Sequence, residues 1–420
     1  MKQFDLIVVG GGAAGLIASG TAAKEGAQVL LIERNVRMAR KVMITGKGRC
    51  NLTNDCGEET FLQNVCSNSK FLFGPIHHFP PQKTMEWIEG LGVPLKIERG
   101  NRVFPASDKA VDIVDALVAF AQKSGVVFLQ KRVTGLEISD GSIQGVRTES
   151  GEVFSAPKVI IATGGKSYPL TGSSGDGYSL AAQAGHTIVP LRPSLIPIET
   201  QEDWCRDCMG LSLKNVTLTL WEKGKKKPLY SELGEMLFTH FGVSGPLVLT
   251  ASTYLKKELT SYFMEIDLKP ALDDHQLEQR VLRDFAAGQN KDFFNALSKL
   301  LPRKIISSIV HLSQIPPDTK VHQITKEQRE KLIQTIKHLP LHPKGLLPID
   351  EAIVTAGGVS VKEVVPQTME SKLCHGLYFA GEVLDLDGKT GGFNLQIAFS
   401  TGFVAGESAG KGKLSCTPLP

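Results

Sequence analysis

The sequence predicts an α/β fold in which one parallel-sheet domain is split in two by a long insert with its own strands and helices. Three observations carry that expectation. The chain opens as strand, glycine-rich turn, helix and strand, from "FDLIVVG" to "QVLLIE". Short apolar strands return at "KVIIATGG" (158–165) and "GLYFAGE" (376–382), far apart in the chain. Between these last two, the pattern changes to alternating strands and then to charged helices.

The bulk numbers agree with this. A chain of 420 residues has room for two or three domains, and 42% hydrophobic with 21% charged residues is the balance of a globular protein. A net charge of +4 permits a polyanionic partner without demanding one. Seven cysteines are odd in number and too sparse for a disulfide framework, so free thiols in a reducing cytoplasm are expected. The uncharged run Leu6–Ala23 is neither a signal peptide nor a membrane span. Asp5 precedes it, and Gly10, Gly11, Gly12, Gly15 and Gly20 interrupt it. With no other candidate span, the expectation is a soluble cytoplasmic protein with no membrane contact.

Taken in order, Phe4–Gly10 reads as a buried strand, Ala13–Lys24 as a helix, and Gln28–Ile32 as a second strand ended by Glu33. A basic irregular stretch, Arg34–Asp55, follows. Helices are expected near Thr60–Phe73, Pro81–Leu91 and Lys109–Ser124. From Val126 to Phe154 the chain reads as strands, with Asp140-Gly141 as a hairpin turn. A helix is expected near Gly177–Ala184. The expected division is 1–192 and 343–420 for the two parts of the parallel-sheet domain. An inserted β-barrel-like part takes 193–272, with strands expected near Ser194–Thr200, Ser212–Trp221 and Tyr262–Leu268, and a helical part takes 273–342. The chain ends with the helix starting near Asn394.

Gly10-x-Gly12-x-x-Gly15 lies between the first strand and the first helix. This is a Rossmann-like arrangement. Gly10 permits the tight turn, Gly12 lets a pyrophosphate reach the backbone, and Gly15 lets helix and strand pack closely. The helix start at Ala13 and Ala14 offers unpaired N–H groups to phosphate. Glu33 stands where an acid hydrogen-bonds a ribose 2′-OH, and it disfavours an NADP phosphate there. Two later segments decide for FAD. "IIATGG", with Ala162, Thr163 and Gly164, resembles the second flavoprotein motif. "GLYFAGE" followed by "TGGFNLQIAFSTG" resembles the C-terminal one. There an acid ends a strand near the ribityl chain, and Glu382 or Asp385 is that acid. The next helix points its N-terminus at the flavin pyrimidine. No second complete GxGxxG is present, so NAD(P)H is expected only as a transient electron donor.

The blocks "ARKVMITGKGRCNLTND", "NRVFPASDKA", "IIATGG", "TGSSGDGY", "LFTHFGVSGP", "VTAGGV" and "GEVLDLDGKTGGFNLQIAFSTG" resemble, in order, those of the BaiN/RdsA-type, or HI0933-like, flavoproteins. The resemblance implies FAD in a discontinuous Rossmann-like domain with inserted β and helical parts. It implies one of several activities: reduction of a conjugated C=C in bile-acid intermediates, dihydrouridine formation in large-subunit ribosomal RNA, or oxidation of aminoacetone. The leading expectation is uridine reduction in ribosomal RNA. A small-molecule enone reductase, an amine or aminoketone oxidase, and a flavin-bearing protein that binds RNA or the ribosome without turnover are the alternatives.

Carried over residue by residue, the resemblance adds cofactor contacts at Arg34, Lys41, Gly48, Arg49, Cys50, Asn51 and Val133. In the C-terminal motif it adds Gly381, Gly392, Asn394, Leu395 and Gln396. The catalytic candidates are Cys50, Arg49 and His240. Cys50 lies among Arg34, Arg37, Arg40, Lys41, Lys47 and Arg49, whose charge favours thiolate. It is read either as a general acid or as a small residue packed beside the flavin. Arg49 and Lys41 are read as contacts to FAD phosphates or substrate anions, or as part of a solvated loop. His240 either faces the cleft or is structural. "GKGRCN" is not a Walker loop, because Lys41 and Gly48 replace the required glycine and hydroxyl residue. Cys205-x-x-Cys208 has no second pair at ligand spacing, and no structural metal is expected.

Overall fold

The computed structural model describes residues 4–411; the ends 1–3 and 412–420 of the two expected flavin-domain segments lie outside the described residues. Two compact units are present, one formed by the chain up to Ser194 together with the chain from Ile349, the other by Leu195–Pro348.

The first unit is built on a five-stranded sheet. Its spatial order is Leu377–Phe379, Val159–Ile161, Leu6–Val9, Val29–Glu33 and Val127–Gln130. Every pairing in it is parallel. The three central strands are buried along their whole length, which is why they read as continuous apolar runs. The hairpin Val133–Ser139 and Ser142–Thr148 turns on Asp140 and Gly141, both with positive φ (50° and 71°), as a two-residue turn matched to strand twist requires.

Two expected elements are broken by single residues. The helix expected over Thr60–Phe73 divides into Glu58–Gln63 and a 3₁₀ turn, Ser69–Leu72, that runs into Phe73–His78. Asn68, at φ 53°, breaks it. The strand expected over Ser194–Thr200 is interrupted by Leu195, at φ 55°. Ile188–Ser194 pairs with Val354–Val359 in the first unit, and Ile198–Thr200 starts the second.

The C-terminal helix, Phe393–Gly410, lies against the first helix, Ala13–Lys24. Gly402, Gly406 and Gly410 recur every four residues and so share one face. A Cβ on each would lie 2.6 Å from Ala14 O, 2.3 Å from Ala18 O and 2.7 Å from Ala22 Cα respectively. The two backbones therefore touch, and only glycine fits at the contact.

The second unit carries a seven-stranded antiparallel sheet. Its order runs Leu339–Leu341, Tyr262–Asp267, Ser212–Glu222, Tyr230–Phe238, Gly242–Ser244, Ile198–Thr200 and Pro343–Leu346. The two edge strands are separated in the chain only by His342. Neighbouring Cα atoms are about 3.8 Å apart, so the edges come close and the sheet curls towards closure. Helices Asp274–Ala286 and Lys326–Lys337 each start with a capping box, Asp273 with Gln276 and Thr325 with Gln328. The "KGKKKP" segment is the exposed loop between two strands of this sheet.

Candidate active site

Three strands of the parallel sheet end level with one another: Val9 pairs with Ile161, and Ile161 with Phe379. The turns that follow them therefore emerge together at the carboxyl edge, where open α/β sheets bind ligands. Gly10 has φ 105°, and a Cβ there would lie 2.5 Å from Ala162 O. A Cβ on Gly15 would lie 1.8 Å from Gly10 O, so helix and turn are in backbone contact. Around Gly12 the opposite holds, because a Cβ there would meet nothing within 4 Å. The helix beginning at Ala13 has no side-chain cap, which leaves its first N–H groups for an anion.

Glu33 is buried and pinned at the end of its strand. Its Oε2 accepts from Gly11 N at 2.7 Å, and its Oε1 accepts from Asn35 N at 2.8 Å. Open backbone, uncapped helix and fixed acid together fit the pyrophosphate and ribose of FAD. Ala162 packs in the turn and Gly164 has φ 74°. Thr163 turns its hydroxyl inward, where a Cβ on Gly177 would come within 2.1 Å of it. Val133 is buried at the head of its hairpin strand, opposite Thr148.

The C-terminal turn holds its acid firmly. Gly381 N donates to Thr401 Oγ1 at 2.9 Å. Glu382 Oε1 accepts from Thr355 N at 2.9 Å, Ser167 Oγ at 3.1 Å and Lys41 Nζ at 2.9 Å, while Oε2 accepts from Lys41 Nζ at 2.7 Å. Lys41 is thus the counter-ion of Glu382. Asp385 accepts from Asn68 Nδ2 at 2.8 Å. Gly392, at φ 100°, precedes an uncapped helix start. With its amide oriented to satisfy both ends, Asn51 accepts from Gly392 N at 3.1 Å and donates to Thr53 O and Val103 O. The basic loop is thereby fastened to the helix start.

The side chains of Asn394 and Gln396 bond within the protein. Asn394 closes on Gly388, accepting from its N and donating to its O, both at 2.8 Å. Gln396 is fully buried, accepts from Thr53 Oγ1 and donates to Phe79 O and Ser400 Oγ. Leu395, between them, packs on the core.

Three cations of the basic loop, Arg34, Lys41 and Arg49, are paired with acids. Arg34 bonds Ser174 and Asp176. Arg49 is paired with Glu98 and Asp108 and lies 4.2 Å from the Phe104 ring centroid. Hydrogen bonds to Glu98 and then Asp108 push the Arg49 pKa up, so the two acids hold this guanidinium in its charged form. Gly48 is exposed at φ 83°.

Cys50 is wholly buried and takes the left-handed φ of 60°. Burial pushes its thiol up to about 12, against a smaller lowering by a hydrogen bond with Thr45. The thiolate expected from basic neighbours is therefore disfavoured, chiefly because the sulfur has lost water, while Arg34, Lys41 and Arg49 face acids. The sign follows for stability. The folded state holds this proton more tightly, so the contribution is full below the ordinary thiol range and is lost as pH rises towards about 12. Iodoacetamide at about pH 8 should leave Cys50 unlabelled in native protein and label it in urea, as read by peptide mass spectrometry. Rapid native labelling would contradict that burial.

His240 belongs to the second unit, where it is exposed and edge-on to Phe241, with ring centroids 4.9 Å apart. Cys205 and Cys208 are buried free thiols of the same unit. Among the described residues no group of three or more metal-ligating side chains is present, and no helix is long and apolar enough to cross a membrane.

Residues 4–408 match the family described as HI0933-like protein Rossmann domain. The chain belongs to this family. It is 31% identical over 408 residues to the 3-dehydro-bile acid Δ(4,6)-reductase of Clostridium scindens, covering 96% of this chain and 98% of that protein. It is also 31% identical over 407 residues to the ribosomal RNA dihydrouridine synthase of Escherichia coli, covering 97% and 98%. The solved structure of a 3-ketosteroid-Δ4-(5α)-dehydrogenase from Rhodococcus jostii shares the fold, with a TM-score of 0.51 and 17% identity over 98% of this chain and 97% of that one. This HI0933-like protein is a flavin-dependent oxidoreductase with a Rossmann-like FAD domain.

Sequence reasoning missed several members of the HI0933-like site. Ser167 and Thr355 hold Glu382, and Asn35 holds Glu33. Ser167 follows "ATGG" and Thr355 lies within "VTAGGV", so both stand in or beside motifs that were read for their glycines.

Proposed function

We propose that this protein reduces a C=C bond conjugated to a carbonyl, and that its substrate is uridine in large-subunit ribosomal RNA. The end-to-end match to a ribosomal RNA dihydrouridine synthase is the observation that carries this reading. When bound and reduced, FAD would supply the hydride. The chain's own residues would hold it: the N–H groups after Gly12 at the pyrophosphate, Glu33 at the ribose, and Glu382, kept in place by Lys41, near the ribityl chain. NAD(P)H is the proposed source of electrons. A charge feature supports an RNA substrate. An open cavity of about 440 Å³ is lined by Lys70, Lys362 and Lys372. The Lys372 ammonium donates to Lys362 O, and among the described residues no carboxylate pairs with it. On this reading the protein works in the cytoplasm, where ribosomal RNA is.

Mass spectrometry of ribosomal RNA from a strain lacking the gene should show dihydrouridine lost from the large subunit and restored by the wild-type gene. Unchanged dihydrouridine would remove the RNA reading. The equal identity to the bile-acid reductase supports a second reading, a small-molecule enone reductase. That reading requires NAD(P)H oxidation stimulated by an unsaturated ketone. Peroxide formation from an amine would point instead to an oxidase, and ribosome association without turnover to a binding protein.

Cys50 is assigned here to packing, because its sulfur is wholly buried. Cys50→Ala should retain FAD and keep turnover within about threefold of wild type, whereas loss of a general acid costs about 10²–10⁴-fold. A drop of that larger size would return Cys50 to the acid role.

A further inference from the structure

The least explained polar group of the first unit is Asp387. Its side chain has no exposure. Oδ2 accepts from Ser194 Oγ at 2.7 Å, but Oδ1 has no hydrogen-bond partner. The cation facing it is Arg192, whose Nη2 lies 4.0 Å from Oδ1. A buried carboxylate without a close partner is costly, so a fold that keeps one has to gain something by it.

The surroundings suggest what is gained. Arg192 and Ser194 stand two apart on the strand Ile188–Ser194 and so share a face. The ladder to Val354–Val359 shifts register between Val189 and Arg192, a break of the kind that re-aims a side chain. Arg192 is opposite Ala356, next to Thr355, whose N–H holds Glu382. On the other side, Arg192 Nη2 reaches Ser67 Oγ at 3.4 Å. The segment around Ser67 is fastened to the same loop, with Cys66 N on Asp387 O and Asn68 Nδ2 on Asp385 O. The guanidinium thus lies over the loop 382–392, which leaves the carboxyl edge of the parallel sheet and leads into the uncapped helix start. Its side chain is 30% exposed, and among the described residues Ser67 and Asp387 are the groups that meet its five N–H donors.

We propose that Arg192 binds the carbonyl oxygen conjugated to the reducible C=C, and that Asp387 is the positioning residue that aims it. The proposal rests on the C=C-reductase reading above. Hydride addition at the β-carbon would place negative charge on that oxygen as an enolate, which a permanently charged planar donor stabilises until a proton from water reaches the α-carbon. Arg192 transfers no proton. Uracil and an enone present the same carbonyl, so the assignment holds for either substrate. Asp387 opposes rotation of the guanidinium away from the loop, and Ser194 fixes the carboxylate in turn.

The test uses flavin-loaded protein reduced with dithionite and mixed with whichever substrate wild type accepts, undermodified ribosomal RNA or an unsaturated ketone. Arg192→Ala should bind FAD and be reduced like wild type, yet re-oxidise with substrate about 10²–10³-fold more slowly. Free guanidinium at low millimolar concentration should restore part of that rate, a rescue that a merely structural arginine would not show. Asp387→Asn should lower kcat more than it raises KM. Wild-type re-oxidation by Arg192→Ala overturns the proposal. So does an equal slowing towards molecular oxygen, which would mean a disturbed flavin. If wild-type protein accepts neither substrate, the reductase reading itself fails and takes this proposal with it.

Discussion

Gly12→Asp should give a folded protein without flavin. Gly12 is the N-cap of the first helix, at φ −82° and ψ −170°, an extended conformation open to any residue. Nothing lies within 4 Å of a Cβ built there. Aspartate is among the best N-caps, worth up to about 1 kcal/mol over a poor one, so the helix and the fold should be no less stable. The same carboxylate would occupy the phosphate-facing N–H groups and repel the pyrophosphate. Like charges about 4 Å apart at a protein surface cost on the order of 4 kcal/mol, so FAD affinity should fall about 10²–10³-fold. Thermal melting of the apoprotein should match wild type, while visible flavin absorbance disappears after gel filtration. A variant that stays yellow at full stoichiometry would show that phosphate does not sit at this turn. Gly12→Ala, which adds a methyl to open space, should keep most of its flavin.

Gly406→Val should do the reverse, damaging the fold first. Its Cβ would stand 2.3 Å from a backbone oxygen, Ala18 O, which cannot rotate away as a side chain can. The C-terminal helix would have to lift off the first helix. Overpacking of this kind costs about 3 kcal/mol or somewhat more. The midpoint of thermal unfolding should fall by roughly 5–10 °C, with flavin loss following the loss of structure. A midpoint within a degree of wild type would mean that the two helices are not in backbone contact.

The parallel-sheet domain was legible because its strands are buried on both faces and so leave continuous apolar runs. Gly10 and Gly15 were also legible, since a positive φ and a backbone contact are demands that only glycine meets, whereas Gly12 leaves open space for a ligand. Breaks at Asn68 and Leu195 were not legible, because a left-handed residue that is not glycine leaves no compositional mark. Partnerships of charged residues were the least legible of all. The run from Arg34 to Arg49 looks like free positive charge, yet Lys41 finds Glu382, which is 341 positions away in the chain. Asp176, Glu98 and Asp108 likewise claim Arg34 and Arg49 only once the fold brings them close. Local sequence gives the sign of a charge, whereas its use is decided by tertiary neighbours.

The contact between the first and last helices has a consequence for how the protein is made. Turns after Val9 and Ile161 leave the ribosome well before Gly381 and the helix that covers Ala14, Ala18 and Ala22. At about 5–20 residues per second, the interval between the second and third turns is on the order of ten to fifty seconds. Through that interval the small, apolar face of the first helix is bare and the cofactor cradle lacks a wall. Flavin loading therefore waits for the third turn, and the nascent first unit keeps an apolar face uncovered until the helix Phe393–Gly410 arrives.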